Sequence, residues 1–110
     1  MNLETRELKH VTVMKVSGRV DSSTAPELEK ALQGLLDSER NQIVLDLQGT
    51  DYMSSAGLRV LVAVQKATKK NGGGLSLAQP SARVKEVLDL AGLTPVFDVH
   101  ADLIEAVGSF

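Results

Sequence analysis

The residues best placed to do chemistry lie in one run, Asp51-Tyr52-Met53-Ser54-Ser55-Ala56-Gly57-Leu58-Arg59. Two adjacent hydroxyls stand where an apolar strand has ended and a helical pattern begins. The first backbone N–H groups of a helix have no partner inside it, and Ala56 and Gly57 are too small to cover them. Such a helix N-terminus favours an anion through its free N–H groups and its dipole, so it can hold a phosphate added to a serine. The same serines also suit plain helix capping, for which Ser is a preferred residue. Both readings stand at this point. Gly57 in a first helical turn costs about 1 kcal/mol relative to Ala, which points to access or close approach at that position.

Other chemistry is poorly provided for. A hydrolase built on Ser55 lacks the Gly-x-Ser-x-Gly elbow, and no His lies near it in sequence to act as base. His10 and His100 are the only two histidines, too few for a multi-His metal site, and read as ordinary surface or turn residues. With no cysteine there is no disulfide framework, thiolate metal site or cysteine nucleophile; this suits a reducing compartment. Asn71-Gly72-Gly73-Gly74 lacks the Gly-Lys-Ser/Thr ending of a phosphate loop and reads as a turn. Twelve basic against 14 acidic side chains leave a charge of -2, which offers nothing to attract DNA. The polar start MNLETRELKH is unlike a signal peptide, and no apolar run reaches the roughly 18 residues that span a bilayer. The expectation is a cytoplasmic protein without membrane insertion, metal or cofactor of its own, and not an enzyme.

What must position the serines is an alternation of strand and helix. The 110 residues suffice for one domain, and 43% hydrophobic with 24% charged residues is a globular balance rather than a disordered one. Residues 3–8 and 11–17 read as strands turned at Lys9-His10, with Gly18 ending the second. Thr24 reads as an N-cap, Pro26 suits the first turn and Glu27 has capping-box spacing. The helix that follows runs to about Ser38, with a stripe of Leu28, Ala31, Leu32, Leu35 and Leu36. Residues 43–47 are almost continuously apolar, as in a central strand buried on both faces. Residues 48–54 read as a loop. A second helix runs from Ser55 or Ala56 to Lys70, with Leu58, Leu61, Val62 and Gln65 on one side, and the glycines at 72–74 stop it.

Residues 75–78 form the next strand. Pro80-Ser81 opens a third helix that Gly92 stops; 96–99 read as a short strand and 101–108 as a last helix carrying Leu103, Ile104 and Val107. The order β-β-α-β-α-β-α-β-α predicts one α/β domain over 1–110, a small mixed sheet with right-handed crossovers and helices mainly on one face.

Several segments together resemble the STAS-domain family, specifically the bacterial anti-sigma factor antagonists. They are Gly18-Arg19-Val20-Asp21 with Thr24-Ala25-Pro26, Ile43-Val44-Leu45-Asp46-Leu47, Tyr52-Met53-Ser54-Ser55-Ala56-Gly57-Leu58, Gly72-Gly73 before a strand, and Val84 through Leu88 with Ala91-Gly92-Leu93. The resemblance covers essentially the whole chain and implies a STAS domain over 1–110 working in a partner switch. Unphosphorylated, such an antagonist binds a serine kinase that is also an anti-sigma factor; phosphorylation of one serine releases it, and a serine phosphatase reverses the change. ATP and Mg belong to the kinase. Matched residue by residue, the modified serine is Ser55, with Ser54 as second choice, standing where the family pattern commonly has Asp. The implied partner surface is Asp21, Ser22, Ser23 and Thr24 together with Met53, Ser54, Ser55, Ala56, Gly57, Leu58 and Arg59. Arg59 and Lys66 also read as part of a solvated helix face. The alternative on the same fold is an unphosphorylated scaffold subunit of a transporter or stressosome-like assembly; a small serine-dependent hydrolase is the third reading and lacks a base.

Overall fold

The computed structural model describes residues 1–110. β1 (Asn2–Leu8) and β2 (Val11–Val20) form an antiparallel hairpin in register from Asn2↔Ser17 to Leu8↔Val11. There follow α1 (Ala25–Asp37), β3 (Gln42–Asp46), β4 (Thr50–Met53) and α2 (Ser55–Lys70). The chain ends with β5 (Gly74–Ala78), α3 (Ala82–Leu90), β6 (Asp98–His100) and α4 (Leu103–Gly108). The sheet order is β1-β2-β3-β5-β6, with β4 paired to β2 off that path. Every pairing except β1 with β2 is parallel, so the mixed sheet expected from the sequence is present.

Two features near the serines differ from the sequence expectation. Gly18 does not end β2. It sits at φ +94°, its N–H donates to the Gly49 carbonyl at 2.8 Å, and the register shifts between Gly18 and Arg19. The extra residue at this shift is Asp51 of β4, and β2 serves two partners in turn: Thr12 to Lys15 pair with β3, and Gly18 to Val20 pair with β4. β4 itself lies inside the segment read as a loop. Its four residues are too few for a clear alternation, and buried Thr50 is held by a tertiary bond from its Oγ1 to the Val16 carbonyl at 2.8 Å.

Further along, Thr94–Val96 is a 3-10 turn and β6 starts only at Asp98. The Val96 and Phe97 N–H groups donate to the Leu93 and Thr94 carbonyls at 2.9 and 3.4 Å, which keeps both residues in the turn and delays the strand.

The main core lies on one face of the sheet. Met14, Val16, Ile43, Leu45, Leu75 and Leu77 point to it, and Leu28 and Leu32 of α1, Leu61 and Val64 of α2 and Val84 and Leu88 of α3 cover it. The opposite face carries only α4, where Ala106 meets Val11, Val13, Val44 and Ala78. Helices are therefore mainly on one face. α4 is too short to close the second face, and Ile104, read as part of its apolar stripe, is 84% exposed. His10 lies in the hairpin turn, but His100 is neither surface nor turn: it is a half-buried residue of β6 with Nδ1 3.2 Å from Glu105 Oε1.

Gln65 on the inner side of α2 is a polar link within the main core. Its Oε1 accepts the Leu75 N–H at 2.7 Å and its Nε2 donates to the Val96 carbonyl at 3.0 Å. Replacing it by Leu leaves the buried Leu75 N–H without this partner, at about 1–3 kcal/mol, while the Val96 carbonyl lies nearer the surface. We predict that Gln65→Leu lowers the unfolding free energy by that amount, read as a lower urea midpoint at an unchanged m-value.

Candidate functional site

The site is assembled where β2, β4 and α2 end or begin side by side. Arg19 pairs with Tyr52 and Val20 with Met53, and the Ser54 N–H continues the pairing by donating to the Val20 carbonyl at 2.8 Å. That bond holds Ser54 in extended conformation, φ -90° and ψ 173°, so that it becomes the N-cap of α2. Its hydroxyl accepts the Gly57 N–H at 3.5 Å. Ser55 is the first residue of the helix and is exposed. Its carbonyl, not its hydroxyl, is engaged, taking Arg59 Nε at 3.4 Å. The two serines thus separate: one caps the helix, and the other presents a hydroxyl to solvent at the helix N-terminus.

Gly57 is explained by close approach. A Cβ there would collide with Met53 Sδ and come within 2.7 Å of Val20 Cγ1. Met53, expected on the partner surface, is only 2% exposed and packs beneath this glycine; Gly57 is buried too. These two residues shape the site from below. Leu58 is 5% exposed but lines a groove beside Ser55.

The loop after β2 is organised by Asp21. Its Oδ1 accepts Ser23 Oγ–H at 2.7 Å, Ser23 N–H at 2.9 Å and Thr24 N–H at 3.2 Å. Arg19 Nε lies 3.8 Å from Oδ2, and the Arg19 guanidinium sits 4.4 Å from the centre of the Tyr52 ring. Hydrogen bonds from the Ser23 side chain and backbone, then from Thr24, hold the Asp21 carboxyl below its usual range. Thr24 does not make the capping box its spacing suggested. Its backbone is already αR, and its Oγ1 turns back to accept the Asp21 N–H and donate to the Arg19 carbonyl, both at 2.9 Å.

Ala56 and Arg59 bridge this loop and the exposed serine, lining with Ser22 and Pro26 a hollow of about 340 Å³. On the other side of Arg59 runs an open groove of about 450 Å³. Ser55 stands on its edge, Leu58, Val62, Ala63, Ala91 and Leu93 line it, and Arg59 and Lys66 supply positive charge. Val62 and Ala63 follow Leu58 and Arg59 at helical spacing, a signal the sequence carried. Ala91 and Leu93 come from the end of α3, and nothing local announces them. No three His, Cys, Asp or Glu side chains meet in a way that could hold a metal ion.

Residues 2–106 match the family model of the STAS domain. The chain belongs to the STAS domain family. Among its STAS relatives is BtrV of Bordetella bronchiseptica, 33% identical over 110 residues, which span 100% of this chain and 95% of BtrV. The anti-sigma-B factor antagonist of Bacillus subtilis is 30% identical over 101 residues, 92% of each chain. Among solved structures, an anti-sigma factor antagonist from Mycobacterium paratuberculosis superposes with a TM-score of 0.90 at 26% identity, covering 98% of this chain and 92% of that one. Unphosphorylated SpoIIAA, a Bacillus protein, shares the fold with a TM-score of 0.83 at 18% identity, covering 98% and 95%. No helix is long and apolar enough to cross a membrane.

Two predictions test this geometry. Gly57→Ala gains about 1 kcal/mol of helix propensity, but the overpacking against Val20 and Met53 typically costs 1–3 kcal/mol. The expected result is a net loss of stability in urea unfolding. Asp21, because its carboxyl is lowered in the folded chain, contributes stability that is present above its unfolded value of 3.8 and is lost as pH falls through the folded value. An NMR titration should therefore place its midpoint below 3.8, with the Ser23 and Thr24 amide shifts moving together with it.

Proposed function

We propose that this STAS domain is an anti-sigma factor antagonist whose switch is phosphorylation of Ser55. The observation that carries the reading is the division between the two serines: Ser54 is committed to capping α2, while the Ser55 hydroxyl is exposed on the edge of an apolar groove. Unmodified, the Ser55 end of α2 and the groove receive a serine kinase that doubles as anti-sigma factor. The kinase brings ATP and Mg and transfers the phosphoryl group; a serine phosphatase removes it. The role is regulatory, with the catalysis done by the partners, and its setting is the cytoplasm. The relatives named anti-sigma factor antagonists support this assignment.

The physical logic follows from charge. A phosphate adds about -1.5 to -2 at pH 7. On Ser55 it sits at a helix N-terminus, whose free N–H groups and dipole favour an anion, with Arg59 one turn away. The domain therefore keeps its fold. A partner surface fitted to a neutral hydroxyl must instead accept a desolvated dianion beside the Asp21 loop, and each 1.4 kcal/mol of that penalty weakens binding about tenfold.

We expect the cognate kinase with ATP-Mg to add one phosphate to the wild type and to Ser54→Ala, and none to Ser55→Ala, as read by intact-protein mass spectrometry. Ser55→Glu should bind the kinase at least about tenfold more weakly while unfolding like the wild type. Modification of Ser55→Ala, or undiminished binding by Ser55→Glu, would overturn the assignment.

A further inference from the structure

β1 is one edge of the sheet, and its only strand partner is β2. Leu8 and Val11 flank a two-residue turn and so exchange both hydrogen bonds. By alternation Asn2, Glu4, Arg6 and Leu8 direct their backbone groups at β2. Leu3, Thr5 and Glu7 direct theirs outward, where no strand receives them. Glu4, Thr5, Arg6 and Glu7 are all exposed. An open row of N–H and C=O groups pairs with another strand unless charge or shape prevents it.

Here the charges select one partner. Let β1 pair antiparallel with a copy of itself about a two-fold axis at Thr5. The outward groups of Leu3, Thr5 and Glu7 then meet those of Glu7, Thr5 and Leu3, which closes a ladder of about six hydrogen bonds. Glu4 falls opposite Arg6, twice, on one face and at a non-hydrogen-bonded position, where Cα atoms stand only about 4.5 Å apart. The neighbouring registers with the same hydrogen-bonding parity fail. One sets Glu4 against Glu4 on the axis and the other sets Arg6 against Arg6, and like charges directly opposite are unfavourable. Glu7, the remaining charge on the strand, is already paired with Arg40 of its own chain. A two-fold interface must be self-complementary, and among these registers only the one centred on Thr5 pairs opposite charges.

We propose that β1 is the contact to a second copy of this chain, joined edge to edge about a two-fold axis through Thr5. The contact uses none of the residues around Ser55, so it leaves the partner groove of each copy open.

Sedimentation equilibrium of the full chain tests this. The mass should rise with concentration from 11.7 kDa toward twice that value. Glu4→Arg and Arg6→Glu should each weaken self-association by about tenfold or more, because each places like charges at both pairs. Mixing the two variants should restore dimers, now mixed ones, since every pair is again of opposite sign. Thr5→Pro should also abolish dimers. It removes an N–H that faces away from β2, and proline is tolerated on an edge strand in that position; an unchanged circular dichroism spectrum verifies the fold. A mass that stays monomeric up to roughly 0.5 mM, or an association that the charge variants and their mixture leave unaltered, overturns the proposal.

Discussion

The first turn of α2 rests directly on Val20 and Met53, and it can do so only because Gly57 has no Cβ. The rest of the site depends on that approach. It brings the Ser54 N–H to the Val20 carbonyl at 2.8 Å, which stretches Ser54 into the capping conformation. It thereby leaves Ser55 as the first helical residue, facing outward. It also sets the start of α2 beside the Asp21 loop, which Val20 immediately precedes. The turn of β2 at Gly18 is the companion feature: its N–H bonds the Gly49 carbonyl, and beyond it Arg19 and Val20 pair with Tyr52 and Met53 of β4.

Charge is arranged around this point so that the isolated domain is satisfied. Asp21 is spent internally, on Ser23 and Thr24, with Arg19 near its second oxygen. Arg19 in turn lies over Tyr52, so one stack of side chains links the ends of β2 and β4. The loop is thus held by its own carboxylate, in a stretch that the resemblance assigns to the partner surface. The groove beyond Ser55 differs in character: apolar along its length, with Arg59 and Lys66 as its charges. A phosphate placed on Ser55, as proposed, would change that surface at its edge and need no rearrangement of the core.

Much of this was legible because it is periodic. The stripe of Leu28, Leu32 and Leu35 and the run 43–47 report a helix and a buried strand wherever they occur, since burial on one face or two faces is written in the spacing of apolar residues. β4 was not legible: its four residues are Thr, Asp, Tyr and Met, and Thr50 is buried by a bond to Val16, far away in sequence. Gly18 was misread for a related reason. A glycine in a strand pattern signals a stop and a local irregularity equally, and only the partner strand distinguishes them. Thr24 carried a capping-box pattern, yet the Asp21 loop claimed its hydroxyl. Gln65 lay on the inner side of its helix as the period required, but its two distant partners could not be foreseen.

By itself the sequence determined that two serines open a helix after a buried strand, that the chain has no cysteine and only two histidines, and that strands and helices alternate around an aliphatic core. Those are local or compositional properties, and neighbouring residues suffice to express them. The tertiary structure alone decided which serine caps and which is exposed, why position 57 is glycine, and that the end of α3 lines the groove beside Ser55. Each of these depends on a contact between segments distant in the chain, and a backbone conformation imposed by such a contact leaves no trace in the spacing of the residues that adopt it.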